Sequence, residues 1–147
     1  MKIANLIYLF NHDLTQVLLM KRTKAPFLGL FNGIGGKLEE GETVLAAAYR
    51  ELEEETGYVS TQHESLVQLT TRSDDHFTID VFATSLINGH GIPLRDGEDD
   101  LNLAWVPMKE VVLAPSELFA PFVQDELVQS AFKLMSERTK TKRSEAK

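Results

Sequence analysis

Residues 36–57 of the chain read Gly36-Lys-Leu-Glu-Glu-Gly-Glu42 and, seven residues later, Arg50-Glu51-Leu-Glu-Glu54-Glu55-Thr-Gly57. The stretch combines a glycine-rich turn, a short acidic loop and a segment crowded with glutamates. Glycines let backbone N–H groups approach phosphate oxygens closely, and clustered carboxylates bind hard divalent cations. Because such cations neutralise polyphosphates, the stretch predicts metal-assisted chemistry on a phosphate ester or anhydride.

The second half of this stretch has the signals of an amphipathic helix. Thr43 suits the N-cap and Gly57 suits the residue that stops a helix. At the helical repeat, four apolar residues are expected to form one buried stripe: Leu45, Ala48, Tyr49 and Leu52. The carboxylates of Glu51, Glu54 and Glu55 stand at i, i+3 and i+4, so they converge on one flank of that stripe. Like charges at this spacing repel, which favours a cation between them over a merely solvated acidic face.

The string resembles the signature box of the Nudix hydrolases, a family that cleaves nucleoside diphosphates linked to another moiety. The box covers residues 36–58, and the one departure is Tyr58, where the family usually carries an aliphatic residue. That position normally packs into the core, so we expect altered packing and unchanged chemistry. The resemblance implies the Nudix fold, an α/β (α+β) architecture with a mixed β-sheet sandwiched between α-helices.

The same resemblance implies which residues bind a divalent cation, Mg²⁺ or Mn²⁺. The expected ligands are carboxylates and a backbone carbonyl: Glu51, Glu54, Glu55, and Gly35 or Gly36. Arg50 matches the arginine that orients these glutamates, and Glu42 is expected near it. Glu51 is our candidate for the general base, and Arg50 and Glu54 complete the candidate catalytic group.

A further acidic ligand is expected shortly before the strand that contains Trp105. Glu98 is the first candidate, although Asp99 and Asp100 fit the spacing equally well and a solvated acidic loop explains at least one of the three.

Residues 32–37, Asn32-Gly-Ile-Gly-Gly-Lys37, resemble the MutT-type branch of the family, particularly its oxidised-purine triphosphatases. Those enzymes convert damaged purine nucleoside triphosphates, such as 8-oxo-dGTP, to the monophosphate and pyrophosphate. Asn32 matches an asparagine that contacts the base, since its amide both donates and accepts hydrogen bonds. The alternative for Asn32 is a turn residue before glycine. Lys37 is a candidate phosphate contact or an ordinary solvated lysine.

Other candidate substrate contacts are two phenylalanines and one glutamate. Phe27 and Phe31 are candidates to stack on the base, with a core position as the alternative for at least one. The relatives carry an acidic pair after a proline that reads the purine edge. Here the corresponding segment is Pro115-Ser116-Glu117, so Glu117 alone retains a carboxylate, and this departure weakens the argument for selectivity toward oxidised purines.

Two alternative functions are compatible with the sequence. The first is hydrolysis of another nucleoside diphosphate derivative or of a 5′-triphosphorylated RNA end. The second is a nucleotide-binding sensor without chemistry, which the retention of all three glutamates of the box disfavours. The chain lacks the proline associated with ADP-ribose hydrolases and the later tyrosine associated with dinucleoside-polyphosphate hydrolases, and these absences favour a nucleoside triphosphate.

Composition restricts the class of protein further. The 147 residues are 43% apolar and 25% charged, which is typical of a globular domain, and we predict one domain over residues 1–138 with a disordered basic tail over 139–147. The absence of cysteine excludes disulfide scaffolds and thiol nucleophiles. The net charge of −7 disfavours long nucleic acids and anionic membranes as partners but not a small nucleotide. No leader or membrane span is recognisable, so we expect a cytoplasmic location.

Hydrophobic patterns predict the remaining elements. Residues 3–10 and 16–21 are expected to form a hairpin through a turn at 11–13, and residues 66–71 and 77–85 to form two further strands. In the last of these, alternate apolar residues predict a strand buried on one face: Phe77, Ile79, Val81 and Ala83. A loop over 88–102, a short strand over 103–107 and a terminal amphipathic helix through Val123, Leu127 and Met135 complete the prediction.

Overall fold

The computed structural model describes residues 2–22, 30–73, 75–89, 101–113 and 124–145. Strands and helices in these ranges follow the order β1 Lys2–Phe10, β2 Gln16–Arg22, β3 Phe31–Asn32, α1 Val44–Thr56, β4 Val67–Ser73, β5 Phe77–Ser85, β6 Leu101–Pro107, α2 Met108–Leu113 and α3 Gln124–Glu145. Each predicted strand is present, with ends that differ by one or two residues. The last strand begins at Leu101, inside the segment expected to be loop.

A mixed sheet forms the centre of the molecule, with β1 as its central strand. β1 pairs in parallel with β5 over its whole length, from Lys2 opposite Phe77 to Phe10 opposite Ser85. Its other edge pairs antiparallel with β2 only at Leu9 and Phe10. β2 continues the sheet through β3 and β6, and β4 pairs with β5. The predicted mixed sheet between helices is therefore confirmed.

The β1–β2 connection is a tight turn held by its own polar side chains. Asn11 Oδ1 accepts the Gln16 backbone N–H at 2.9 Å, and Asp13 Oδ1 accepts the Thr15 hydroxyl at 2.7 Å. The hydrogen bond from Thr15 lowers the pKa of Asp13. These bonds confirm the predicted hairpin and explain why the strands reverse here.

Both faces of the sheet are covered, so the strands are more buried than the sequence predicted. Val81 and Ala83 of β5 belong to a core shared with α3, whereas Phe82 belongs to the core beneath α1. The prediction of a strand buried on one face was wrong for the second half of β5. Parallel pairing with β1 places this half at the centre of the sheet, where a helix covers each face.

Helix α1 meets the sheet through smaller side chains than expected. Leu45, predicted in the buried stripe, is 47% exposed, whereas Ala47 is fully buried alongside Ala48 and Leu52. Ala47 and Ala48 therefore lie on the buried side of α1, and Leu45 lies on its exposed side. Tyr58, the departure from the family pattern, is 1% exposed and packs in the core beneath α1, as a residue at this position should.

The prediction of a disordered tail from residue 139 was wrong as far as Glu145, because α3 continues to that residue. No Gly or Pro interrupts residues 124–145, and Lys, Arg and Glu are good helix formers. The hydroxyl of Thr139 also donates to the carbonyl of Met135 at 3.0 Å. The domain boundary at residue 138 stays a prediction. Across the described ranges, no helix is both long and apolar enough to cross a membrane.

Candidate active site

The glycine turn is fixed by hydrogen bonds along the half of β1 that β2 leaves open. Ile34 and Ile7 exchange both backbone hydrogen bonds, and the Asn5 N–H donates to the Gly36 carbonyl at 2.9 Å. Leu38 N–H then donates to the carbonyl of Ile3 at 3.2 Å. Residues 34–38 therefore lie beside β1 like an irregular strand, and the turn has a defined position relative to the sheet.

Helix α1 begins and ends where its capping residues predict. The Thr43 hydroxyl accepts the Ala46 N–H at 3.1 Å, and Gly57 adopts φ +82° while its N–H donates to the Glu53 carbonyl at 2.8 Å. Thr43 and Gly57 thus satisfy polar groups at both ends of the helix. The caps and the packing of Leu52 against the sheet fix which flank of α1 carries the glutamates.

Arg50 joins the loop and the helix in one hydrogen-bonded network. Its Nε and Nη2 donate to the two carboxylate oxygens of Glu42 at 2.7 and 2.9 Å. Its Nη1 donates to Glu51 Oε1 at 3.1 Å and to Glu54 Oε2 at 3.0 Å, and lies 3.6 Å from Glu39 Oε1. One guanidinium therefore holds three carboxylates by hydrogen bonds, in the forked geometry that only arginine provides.

The carboxylates of this network differ in their electrostatic environment. Burial raises the pKa of Glu51, which outweighs the opposing effect of the Arg50 charge. The hydrogen bond from Arg50, followed by that from the Glu39 backbone N–H, lowers the pKa of Glu42. Hydrogen bonding to Glu42 in turn raises the pKa of Arg50. Glu42 is thus favoured as the anion that anchors Arg50, whereas Glu51 is a desolvated carboxylate.

Glu51 packs directly against the glycine turn. A Cβ at Gly36 would lie 2.5 Å from Glu51 Oε1 and 2.6 Å from its carboxylate carbon, so any side chain there would displace the carboxylate. The Glu51 side chain is only 13% exposed. A carboxylate and a peptide backbone are therefore held in contact at the point where the box predicts a metal ion.

The donor atoms at this point suit a hard divalent cation. Glu51, Glu54 and Glu55 offer carboxylate oxygens and the turn offers backbone carbonyls, which are the ligands that Mg²⁺ and Mn²⁺ prefer. Glu55 is half-buried, one helical turn from Glu51. In the part of the chain that the structure describes, no three acidic or histidine side chains are already grouped as a metal site. The residues fit the cation in chemical type, and Arg50 holds the carboxylates of Glu51 and Glu54 beside each other.

The structure places the candidate substrate residues as follows. Lys37 is exposed, and its carbonyl accepts a hydrogen bond from Arg50 Nη2 at 3.4 Å. Asn32 is half-buried in β3, opposite Met20 of β2. Phe31 packs against the core shared with α3, which agrees with the alternative of a core position. The remaining candidates lie outside the described residues: Phe27, Glu98, Asp99, Asp100 and Glu117.

Two buried polar groups near the site were not predicted from the sequence. Asn5 is 4% exposed and contacts the glycine turn, and its only signal was a polar residue inside the apolar run of β1. His63 is 3% exposed and stacks on Tyr49 of α1 with ring centroids 5.8 Å apart. A lone histidine in a connecting segment carries no signal of such a contact.

Sequence comparison places the chain among known proteins. It is 37% identical over 87 residues to the ADP-ribose pyrophosphatase of Methanocaldococcus jannaschii. The aligned stretch is 57% of this chain and 50% of that protein. The match therefore spans half the length of that relative.

Solved structures share the fold. A solved structure of MutT, from Aliivibrio salmonicida or Vibrio cholerae, superposes with a TM-score of 0.68 at 22% identity. The match covers 90% of this chain and 98% of that one. The NUDIX domain of Shewanella oneidensis NrtR, solved with ADP ribose, has a TM-score of 0.66 at 23% identity, covering 90% of this chain and 87% of that one. At these identities the likeness is one of fold. The NUDIX domain model, however, matches residues 2–128, far beyond the box itself, and the chain therefore belongs to the Nudix family.

Proposed function

We propose that the chain is a divalent-metal-dependent hydrolase that converts a nucleoside triphosphate to the monophosphate and pyrophosphate. The observation that carries this proposal is the contact between the Glu51 carboxylate and the Gly36 backbone, with Arg50 holding Glu51 and Glu54 beside it. This arrangement concentrates carboxylate and carbonyl oxygens, together with the fixed positive charge of Arg50, at a glycine turn. Such a site suits a polyphosphate and the metal ion that accompanies it.

The chain's own residues supply positioning and proton transfer. A bound Mg²⁺ or Mn²⁺ would neutralise phosphate charge and lower the pKa of a coordinated water. Glu51 is the proposed general base, because its carboxylate is only 13% exposed and lies against the Gly36 backbone, where a polyphosphate and its cation would bind. Arg50 keeps Glu51 and Glu54 oriented, and Glu42 keeps Arg50 in place.

For the substrate, we propose a purine nucleoside triphosphate, with oxidised purines such as 8-oxo-dGTP as the first test and nucleotide sanitation as the role. The amide of Asn32, in the strand that leads into the glycine turn, is the proposed base contact. Phe27 and Glu117 are proposed to complete the base pocket, and Glu98 the metal site.

A second candidate substrate is ADP-ribose. The relative with 37% identity over 87 residues is named for this activity, although the match covers half of that protein. Both substrates contain the diphosphate linkage that the proposed site would cleave, so the carboxylate network does not distinguish them. The products do: a nucleoside triphosphate gives pyrophosphate, whereas ADP-ribose gives AMP and ribose phosphate.

The test is a panel of nucleotides assayed with Mg²⁺ and with Mn²⁺. The panel holds normal and 8-oxo purine triphosphates, pyrimidine triphosphates, ADP-ribose and dinucleoside polyphosphates. Glu55→Gln is the inactivating variant and should reduce turnover by about 100-fold or more, as expected for a metal ligand or its immediate partner. Glu53→Gln is the matched control, because Glu53 is exposed on the opposite flank of the same helix.

Preferential release of pyrophosphate from oxidised purines is the expected result. Products of ADP-ribose alone would retain the site and replace the substrate. Turnover at the wild-type rate in Glu55→Gln would overturn the proposed metal site. Metal binding without turnover of any panel member would favour the nucleotide sensor.

A further inference from the structure

Asn5 is a buried amide in the middle of an apolar strand. It is 4% exposed and lies on the same face of β1 as Ile7 and Leu9, which belong to the core beneath α1. Its Nδ2 has no hydrogen-bond partner among the described residues. A buried donor without a partner destabilises a fold, so an apolar residue would serve stability better at this position.

The neighbouring carboxylate does not satisfy the Asn5 donor. Asp80 of β5 is in register with Asn5, but its Oδ1 accepts hydrogen bonds from Gln68 Nε2 at 2.8 Å and from Thr71 Oγ1 at 2.6 Å. Asn5 therefore does not belong to the polar group around Asp80. Its amide is directed by its other contact, with the glycine turn.

Asn5 contacts Gly36 through both its backbone and its side chain. The Asn5 N–H donates to the Gly36 carbonyl at 2.9 Å, and the Gly36 N–H donates to Asn5 Oδ1 at 3.3 Å. Reversing the amide would place Nδ2 against the Gly36 N–H, two donors facing each other, so this bond determines the orientation of the side chain. A Cβ at Gly35 would overlap the Asn5 carbonyl oxygen, which shows how closely the two backbones approach.

On its other side Gly36 contacts Glu51 of helix α1. The position of its missing Cβ lies 2.5 Å from Glu51 Oε1, and that oxygen accepts a hydrogen bond from Arg50 Nη1. The Gly36 peptide is therefore clamped between Asn5 of β1 and Glu51 of α1. A small shift of the turn would change the distance between the backbone carbonyls and the Glu51 carboxylate.

We propose that Asn5 is a positioning residue for the metal site: its side chain holds the Gly35–Gly36 turn against Glu51, at the expense of an unpaired buried donor. The inference rests on the proposed function, because it assumes that the turn and Glu51 bind the cation together. It explains why an amide occupies a buried position where it leaves one group unsatisfied.

The test compares metal affinity with stability in the same variants. Asn5→Leu removes the side-chain bond to the Gly36 N–H and the orphaned donor, and keeps the backbone bond to the Gly36 carbonyl and a side chain of similar shape. We expect Mn²⁺ affinity, measured by electron paramagnetic resonance without nucleotide, to fall by roughly 10- to 100-fold, the range for residues that orient metal ligands. The Tm should change little, because the variant removes the orphaned Nδ2 but also leaves the Gly36 N–H without its acceptor, and kcat should fall. Asn5→Ala should lose metal affinity to a similar degree.

The matched control is Ile7→Val, two residues along the same face, which should lower the Tm and leave Mn²⁺ affinity unchanged.

Three results would overturn the inference. Mn²⁺ affinity within about twofold of wild type in both Asn5 variants would show that the side chain does not position the site. A loss of affinity in Ile7→Val equal to that in the Asn5 variants would show a general structural effect. A wild-type protein that binds no Mn²⁺ and turns over no nucleotide would remove the proposed function and this inference with it, which separates that failure from the first two.

Discussion

Gly36 is the residue at which the glycine turn and the glutamate helix touch, and it allows a direct test of that contact. Gly36→Ala would place a methyl group 2.5 Å from Glu51 Oε1, closer than real Cβ atoms are found. Because Gly36 does not adopt a positive φ, the substitution is expected to act through this clash rather than through backbone strain. We expect displacement of the Glu51 carboxylate and a loss of Mn²⁺ affinity of roughly 10- to 100-fold, measured by calorimetric titration.

Gly89→Ala is the control for this substitution. Gly89 adopts φ +96° and a Cβ there would meet no atom within 4 Å, so alanine should cost about 1–2 kcal/mol of stability through the backbone alone. Mn²⁺ affinity should be unchanged in that variant. If Gly36→Ala bound Mn²⁺ as the wild type does, the contact between Gly36 and Glu51 would have no part in the metal site.

Arg50→Lys tests whether the forked guanidinium is required. A lysine has one ammonium group and cannot hold both oxygens of Glu42 at 2.7 and 2.9 Å while also reaching Glu51 and Glu54. We expect kcat to fall by roughly 10- to 100-fold with the charge of the residue preserved. Glu39→Gln is the control, because Glu39 is 68% exposed and lies 3.6 Å from Arg50, and turnover should stay near wild type. Equal rates in Arg50→Lys and wild type would contradict an orienting role.

At this scale the sequence predicts contacts between residues that are near each other along the chain. The i, i+4 spacing of Arg50 and Glu54 becomes a hydrogen bond of 3.0 Å, because helix geometry alone brings such residues together. Asn5 escapes prediction, since its partner Gly36 is 31 residues away and depends on how β1 pairs. Leu45 was misplaced for a similar reason: the contact with the sheet sets the rotation of α1, and the apolar pattern allows more than one rotation.

Among the connections between elements, the segment from α1 to β4 contains a buried histidine, His63, that is expected to make stability depend on pH. His63 is buried, stacks on Tyr49 of α1, forms an isolated bridge with Leu86 and has its Nδ1 2.6 Å from the Glu64 carbonyl oxygen. Burial lowers the pKa of His63 below its usual value of 6.5. The unfolded chain therefore binds more protons than the folded chain just below pH 6.5, so the free energy of unfolding rises with pH in this window.

Above pH 6.5 His63 is neutral in both the folded and the unfolded chain, so its protonation costs no stability. As the pH falls below 6.5, the unfolded chain takes up the proton first, and the free energy of unfolding is expected to fall. His63→Phe keeps a ring against Tyr49 but cannot titrate, so the difference in unfolding free energy between wild type and variant should change with pH in that window. Urea unfolding at a series of pH values from about 5 to 8 measures it. A difference that is constant across this range would show that His63 has the same pKa in both states.

The elements themselves differ in how far the sequence determines them. Caps and turns depend on adjacent residues, which is why Thr43, Gly57 and the turn at Asn11 were found. The parallel pairing of β1 with β5 joins residues about 75 positions apart in the chain, and alternation within either strand does not report it. The helical end of α3 was missed because polar, charged residues suit both an exposed helix and a disordered tail.

In the molecule as a whole, the sheet separates two cores that hold different parts of the site in place. The core beneath α1 contains Leu52 and determines where the glutamates lie. The core shared with α3 contains Leu127 and packs against the opposite face of the sheet. β1 contributes side chains to both cores and also pairs with the glycine turn. We therefore expect the two cores to unfold together, because neither can lose its packing while β1 stays in place.

Leu52→Ala and Leu127→Ala test this expectation. Both side chains are buried, at 0% and 3% exposure, so each substitution should lower the free energy of unfolding by about 2–5 kcal/mol. The sheet lies between them, so their effects should add in the double variant to within about 0.5 kcal/mol. Urea unfolding followed by far-UV circular dichroism and by Trp105 fluorescence should give coincident single transitions with one m-value. Two separated transitions, in the wild type or in either variant, would mean that the core carrying the glutamates folds independently of the core behind it, and the site would then need only the α1 half of the molecule for its geometry.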